Sequence, residues 1–499
     1  MSVSFNTIPS DIRVPLFWAE MDNSQASTAS ASASPALIIG TVATGSTIAR
    51  NTLTIMPSAD LAGKIAGRGS QLHRMVARYR AIDPFGELWV LAVDEPTGAL
   101  ASGSLTVTGT AQASGTISLY IGAVRVQASV VTGDSAEDVA ATLAAAINAN
   151  ADLPVVATAA SGEVTVNARH KGLTGNDTPM MLNYYGTVGG ETTPDGIAVA
   201  ITAMAGGSGA PDLTATVAAM GDEPFDFIGL PFCDSASLAT LALEMNDTSG
   251  RWSYARQLYG HVYSAKIGSL SDLVTFGDTL NNQHTTVAGY EPATQTCCDE
   301  LVAMRTARNA VFIRADPARP TQTGELTGAL PAPKGSRFIL SEQQSLLTHG
   351  IATSYASSGA LCIQRDITTY QQNAYGVADN SYLDSETLHT SAYVLRQLKS
   401  IVTTKYPRHK LANDGTRFGD GQAIVTPAVL KGEMCSVYRT MERAGIVENF
   451  DIFKQYLVVE RNASDPDRVD VLFPPDYVNQ LRVFALVNQF RLQYDEESE

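Results

Sequence analysis

The side chains best able to hold metals or attack substrates are few in this chain and lie far apart. The seven histidines are His73, His170, His261, His284, His349, His389 and His409, and none has a carboxylate or cysteine at the spacing of a metal site. Each is expected on the surface or as a hydrogen-bonded core residue. The five cysteines, Cys233, Cys297, Cys298, Cys362 and Cys435, are odd in number and form no CxxC pair. Adjacent Cys297 and Cys298, expected within a helix, would close only a strained ring. Reduced, buried thiols and a reducing compartment are expected. The glycines of 206–209 precede a helix and could cradle a phosphate, but no Lys-Ser/Thr follows, so a domain-boundary linker is the better reading. The most polar turn, LANDGTRFGDGQAIVTP at 411–427, carries Asp414, Arg417 and Asp420. It lacks the ligand order of an EF-hand and reads as a turn held by an Arg–Asp pair. GxxxxGK[ST], HExxH and GxSxG are absent as well. No catalytic residue, metal ligand or cofactor site is assigned, and a cytosolic α/β enzyme stays only as a competing class.

Charge and length narrow the field further. A chain of 499 residues can bury several cores, and its formal charge of −16 argues against nucleic acid or an anionic membrane as a partner. Between positions 100 and 230, three basic residues (Arg125, Arg169, Lys171) stand against twelve acidic ones, so that quarter is expected to face solvent. The one basic stretch holds Arg396, Lys399, Lys405, Arg408, Lys410 and Arg417, and it reads first as a solvated helix end with a loop. No apolar run approaches the roughly 18 residues of a spanning helix, and MSVSFNTIPSD lacks the pattern of a signal peptide.

The elements with a job to do are then the two ends. Residues 481–494 alternate as a strand: Phe484, Leu486, Phe490, Leu492 and Tyr494 share one face, and Leu481, Val483, Ala485 and Val487 the other. Fourteen extended residues span roughly 45 Å, long for one strand of a home sheet. A last strand packed at home competes, as does a helical stripe through Leu481, Phe484, Ala485 and Leu492. At the other end, Val3 and Phe5 alternate, as do Ile12, Val14 and Leu16, while Pro9 and Pro15 exclude helix. An Ala/Ser tether follows, with a flexible reach of about 18 Å. An apolar strand on a slack tether reads as a docking arm, and a first strand followed by a surface loop is the alternative.

Between the ends, ALIIG (36–40), ELWVLAV (87–93) and FDFIGLPF (225–232) read as strands, with helix at 61–82 and from about Ser235. This predicts a mostly parallel sheet with helices on its faces. A Gly/Ala/Ser/Thr-rich region interrupts it. There, hairpins turn near Gly122 and at Ser161-Gly162, and a helix is capped by Ser135 with Asp138 three residues on. The last third predicts a helix with stripe Leu388, Ala392, Leu395, Leu398 and Val402, stopped by Pro407. A second helix is capped by Thr426, with Val429, Leu430, Met434, Val437, Tyr438 and Met441 inward and Gly445 at its end. A hairpin at 456–473 precedes the terminal strand. The expected architecture is a mixed α/β and α+β multidomain chain. It has an N-terminal strand arm (1–22), a tether (23–34), and an α/β body (35–98 and 210–330) with an inserted acidic β-rich domain (99–209). A C-terminal helical plus β-hairpin domain (331–474) and a C-terminal strand arm with acidic tail (475–499) complete it.

Five segments, IPSDIRVPLFWAE, LNYYG, AMAGGSGAPDL, YPRHKLANDGTRFGDGQAIVTP and VERNASDPDRVDVLFPPDYVNQLRVFA, together resemble the tail sheath proteins of Mu-type contractile-tail bacteriophages. The resemblance runs in the same order over nearly the whole chain. It departs mainly in the tether and the Gly/Thr-rich 186–196 loop. It implies a homo-oligomer of six-membered rings stacked helically around a tail tube, bounded by baseplate and tail terminator proteins, that shortens and widens to drive the tube through the host envelope. It implies a virion component assembled in host cytoplasm, with no cofactor, direct nucleic-acid contact or membrane contact. In related sheaths, arms of neighbouring subunits add as strands beside a hairpin. Carried over, the arm residues are Val3, Phe5, Ile12, Val14, Leu16, Leu481, Val483, Phe484, Leu486, Phe490, Leu492 and Tyr494. The acceptor residues are Leu457, Val459, Val469, Val471 and Phe473. Lys399, Lys405, Arg408 and Lys410 are expected to face the tube through salt-sensitive contacts. A sheath of a phage-derived bacterial injection machine fits the same pattern. Without a nucleotide-binding motif, the work of firing is expected to come from a metastable lattice.

Overall fold

A computed structural model describes residues 34–419 and 421–492. Val3, Phe5, Ile12, Val14, Leu16, Asp420, Tyr494 and the acidic tail lie outside the described residues.

The body is a six-stranded sheet in the order Thr285–Tyr290, His261–Ile267, Phe227–Gly229, Ala36–Thr41, Leu88–Val93, Thr54–Ile55. Every pair is parallel except the last, an antiparallel edge. Strands buried on both faces carry continuous apolar runs, and the pleat sorts them. Ala36 and Ile38 join one core with Val90 and Ala92, while Leu37 and Ile39 join another with Leu91 and Val93. The first core is covered by helices Gln71–Ile82 and Cys298–Ala315, and the second by Thr214–Ala219 and Ser235–Met245. The strand expected at 225–232 is shorter, because only Phe227–Gly229 finds ladder partners.

The helix expected over 61–82 is two helices, Ala59–Ile65 and Gln71–Ile82, each begun by a serine whose hydroxyl accepts an N–H three residues on. The break has a packing cause. Gly69 sits at φ +74°, and a Cβ there would fall 2.5 Å from the Ala151 carbonyl oxygen. The backbone of the 100–205 region thus leans directly on the body, beside the Arg68–Asp152 ion pair at 2.6 Å.

That region has two antiparallel sheets, one of four strands and one of three, around helix Ala136–Ala149. Its core draws on residues from Ala101 to Met204 alone. The capping box of Ser135 and Asp138 forms as expected. Its first and last strands, Leu100–Gly109 and Ile197–Ala205, pair antiparallel, so both connections to the body lie side by side. There the Ala99 N–H donates to Ser208 Oγ at 3.1 Å.

In the last third, helices Ser385–Lys405, Pro427–Arg443 and Phe450–Tyr456 lead to a hairpin of Val458–Arg461 and Val469–Leu472. The first half of Ser385–Lys405 is locked to the body. Arg396 grips Asp226 with both guanidinium nitrogens, and His389 Nε2 meets the Tyr263 hydroxyl at 3.0 Å. Leu388 and Ala392 are buried, but Leu395 and Val402, expected in the same stripe, are each 43% exposed because the helix runs past the core. Likewise Met434, Val437, Tyr438 and Met441 are buried, whereas Val429 is 46% exposed on the first turn and Leu430 is half-buried.

Candidate assembly interface

The hairpin stands as a sheet of two strands, paired Val458↔Leu472 and Val459↔Val471, with no third strand on either side among the described residues. Both outer edges keep their backbone N–H and C=O groups unladdered, the feature that templates strand addition. Of the expected acceptor residues, Leu457 is buried, and Val459 and Phe473 pack against the core of Met434, Tyr438 and Phe453. Val469 is half-buried and Val471 is 45% exposed. Leu457, Val459 and Phe473 fix the hairpin to its own helices. The exposed apolar residues of the hairpin are Val471 together with Val458 and Leu472, 42% and 61% exposed, and the sequence pattern singles out neither of the latter two. Their cross-strand pairing is the missing signal, since it needs the register.

Beyond the hairpin the chain is tied to its own subunit as far as Arg482. The Glu448 N–H donates to the Asp476 carbonyl, the Val478 N–H to Ile446, and the Gln480 side chain to Ala318. Arg482 reaches Glu386 at 3.1 Å and Asp384 at 3.3 Å. Glu386 is fully buried. Burial pushes its carboxyl above the usual range, and the Arg482 charge opposes that rise. From 483 to 492 there is neither helix nor ladder. Leu481, Val483, Phe484, Leu486, Val487, Phe490 and Leu492 are 70–97% exposed. The helical alternative is thereby set aside.

The expected basic stretch is not one surface. Arg396 belongs to the clasp on Asp226, and Lys405 pairs with Glu433 at 2.7 Å. Lys399, Arg408 and Lys410 are exposed, with Lys410 near Gln422 at 3.4 Å. In the 411–427 turn, Asp420, one of the two aspartates open to the expected Arg–Asp pair, lies outside the described residues, and the other has a different partner. Asp414 accepts the Ala428 N–H at 2.9 Å and so caps the helix starting at Pro427, an orphan donor being the nearer claim on a carboxylate.

The groups that could do chemistry are occupied by structure. Cys297, Asp299 and Glu300 come within 4.8 Å of one another, but Arg74 clasps Asp299 and Glu300, and Arg78 holds Glu300 at 2.7 Å. Two cations already meet those charges, and burial holds the Cys297 thiol well above its ordinary pKa. Arg305 and Asp366, both buried, pair at 2.6 Å and brace the Thr353 and Tyr290 region. His261 meets Thr286 at 2.8 Å, and His284 meets Asp247 at 2.9 Å. The cysteines are free thiols, three buried and two half-buried. No described helix is long and apolar enough to cross a membrane.

The family model for the phage tail sheath protein central domain matches residues 206–369, and that for the phage tail sheath C-terminal domain matches 377–491. The Mu-like prophage FluMu tail sheath protein of Haemophilus influenzae is 40% identical over 496 residues, covering 99% of this chain and 100% of that protein. The crystal structure of a sheath tail protein from Desulfitobacterium hafniense superposes with a TM-score of 0.50 at 14% identity, over 94% of this chain and 97% of that one, which shows a shared fold. A sheath tail protein from Listeria innocua aligns at a TM-score of 0.47 and 12% identity, over 89% of this chain and 92% of that one. With both domain models matched and the identity running end to end, this chain belongs to the phage tail sheath protein family and is a structural component of a Mu-like phage tail.

Proposed function

We propose that copies of this chain polymerise as stacked six-membered rings around a tail tube, joined by exchanged terminal strands, and that the assembled sheath shortens and widens to drive the tube through the host envelope. Assembly takes place in host cytoplasm, between baseplate and terminator proteins. The observation that carries this reading is the exposed, ladderless 481–492 segment beside a two-stranded hairpin with both edges open. Backbone ladders made by the arms keep neighbours attached while weaker body-to-body contacts exchange during firing. Head-to-tail contacts of this kind do not close on a pair, so they generate helical assemblies rather than dimers. The exposed Lys399, Arg408 and Lys410, with Lys405, are the part of the C-terminal domain that would face the tube.

Removing residues 1–22, or everything after Arg482 so that buried Glu386 keeps its partner, is expected to leave a folded, soluble protein that makes no tubes under negative-stain microscopy. Normal tubes from either truncation would refute the arm exchange. Charge reversal at Lys399, Arg408 and Lys410 is expected to weaken co-assembly with tube in a salt-dependent way. Unchanged co-assembly would remove that surface from the contact.

A further inference from the structure

On the C-terminal domain, helices Pro427–Arg443 and Phe450–Tyr456 frame an open groove of about 500 Å³ whose charged lining is wholly basic: Lys431, Arg439, Arg443 and Lys454. Among the described residues none of the four makes an ion pair, in contrast to Lys405 across the same helix, which holds Glu433. The nearby Glu442 accepts the Phe450 N–H at 3.1 Å, and Asp451 is exposed on the next helix. The Arg439 guanidinium lies over the Phe450 ring at 4.2 Å, so that cation is held in place before any partner arrives. Cys435 lines the floor.

We propose that this groove receives the acidic tail, residues 495–499, of a neighbouring subunit. The inference rests on the arm exchange proposed above and adds a docking site for the residues beyond the arm strand. Two observations select this occupant. The tail DEESE carries four side-chain carboxylates in five residues and directly follows the arm, which matches in sign and number four cations without an ion pair among the described residues. The groove also adjoins the open hairpin: strand Val458–Arg461 begins just after the helix bearing Lys454 and packs on Pro427–Arg443. An arm laid along that hairpin delivers its tail, with a reach of roughly 17 Å, to the groove. Ladder hydrogen bonds are blind to sequence, and this contact would fix how far the arm slides along its acceptor.

The test uses Cys435 as a native reporter. In a Glu497→Cys chain assembled into sheath, a short bismaleimide is expected to join subunits in a covalent ladder, absent from unassembled protein and lost with Cys435→Ser. Arg439→Glu with Arg443→Glu is expected to raise the critical concentration for assembly about tenfold at low salt, with recovery when Glu496→Lys and Glu497→Lys are added. Sheath that forms normally yet yields no ladder and shows no charge-swap recovery overturns the groove assignment while leaving arm exchange intact. If groove reversal instead blocks only tube co-assembly, the groove faces the tube and the proposal is wrong. Failure of arm exchange itself reads out separately, as tubes from the chain cut after Arg482.

Discussion

Phe490→Ala tests the arm exchange at a single side chain. Ordering the ten residues from 483 to 492 costs about 1–2 kcal/mol each in backbone entropy, roughly 10–20 kcal/mol in all. A one-sided ladder returns about 0.5–1.5 kcal/mol per hydrogen bond, which does not cover that cost with any margin. The apolar face must therefore decide whether the arm binds. Phe490 is 76% exposed on its own subunit, so most of the roughly 1.5–3 kcal/mol available from burying a large apolar side chain is still to be gained in a neighbour. Truncation to alanine is expected to remove about 1–2 kcal/mol per junction. Pelleting assays should then show a critical concentration higher by roughly 5–30-fold. The melting temperature of the unassembled subunit should not move, because Phe490 buries little at home. Gln489→Ala, one residue away on the opposite face of an extended segment, should shift assembly less than about twofold. Equal effects at 489 and 490 would refute the strand pairing. A lowered melting point of the free Phe490→Ala subunit would show that the arm packs on its own body.

Arg482→Met is expected to destabilise the subunit by roughly 3 kcal/mol by stranding buried Glu386, and to loosen the arm root. Because burial already raises the Glu386 carboxyl, the deficit should be largest near neutral pH and shrink as the medium is acidified and that group takes a proton, measured by thermal melts across pH. Burial lowers His170 and His389 to about 4, against about 6.5 unfolded. Below pH 6.5 the unfolded chain binds protons that these residues refuse in the folded one. Stability should therefore fall between pH 6.5 and 4, and His389→Gln should flatten that fall by on the order of 3 kcal/mol. Replacing residues 100–205 by a short Gly/Ser bridge should leave a body that still folds and assembles, since Ala99 and Ser208 already touch. Loss of the cooperative melt would show that the region is needed by the body's core.

The sequence alone determined what local pattern controls. Short continuous apolar runs specified the parallel body strands, and serine and threonine caps specified the helices at Ser135 and Thr426. Alternation and length marked 481–494 as an extended segment long for a single sheet, and the scattered histidines and cysteines argued against a catalytic centre. Contacts distant in sequence belong to the tertiary structure alone. The split of the 61–82 helix depends on the Ala151 backbone pressing on Gly69. Arg396 looks like a surface charge until Asp226, 170 positions away, takes it. The inward and outward faces of the hairpin are set by the helices beneath it, and only that packing exposes Val458 and Leu472. The basic groove likewise needs two helices side by side, because residues 431, 439, 443 and 454 form no visible cluster along the chain. Periodicity is written residue by residue, whereas a charge finds its partner only after the backbone has folded.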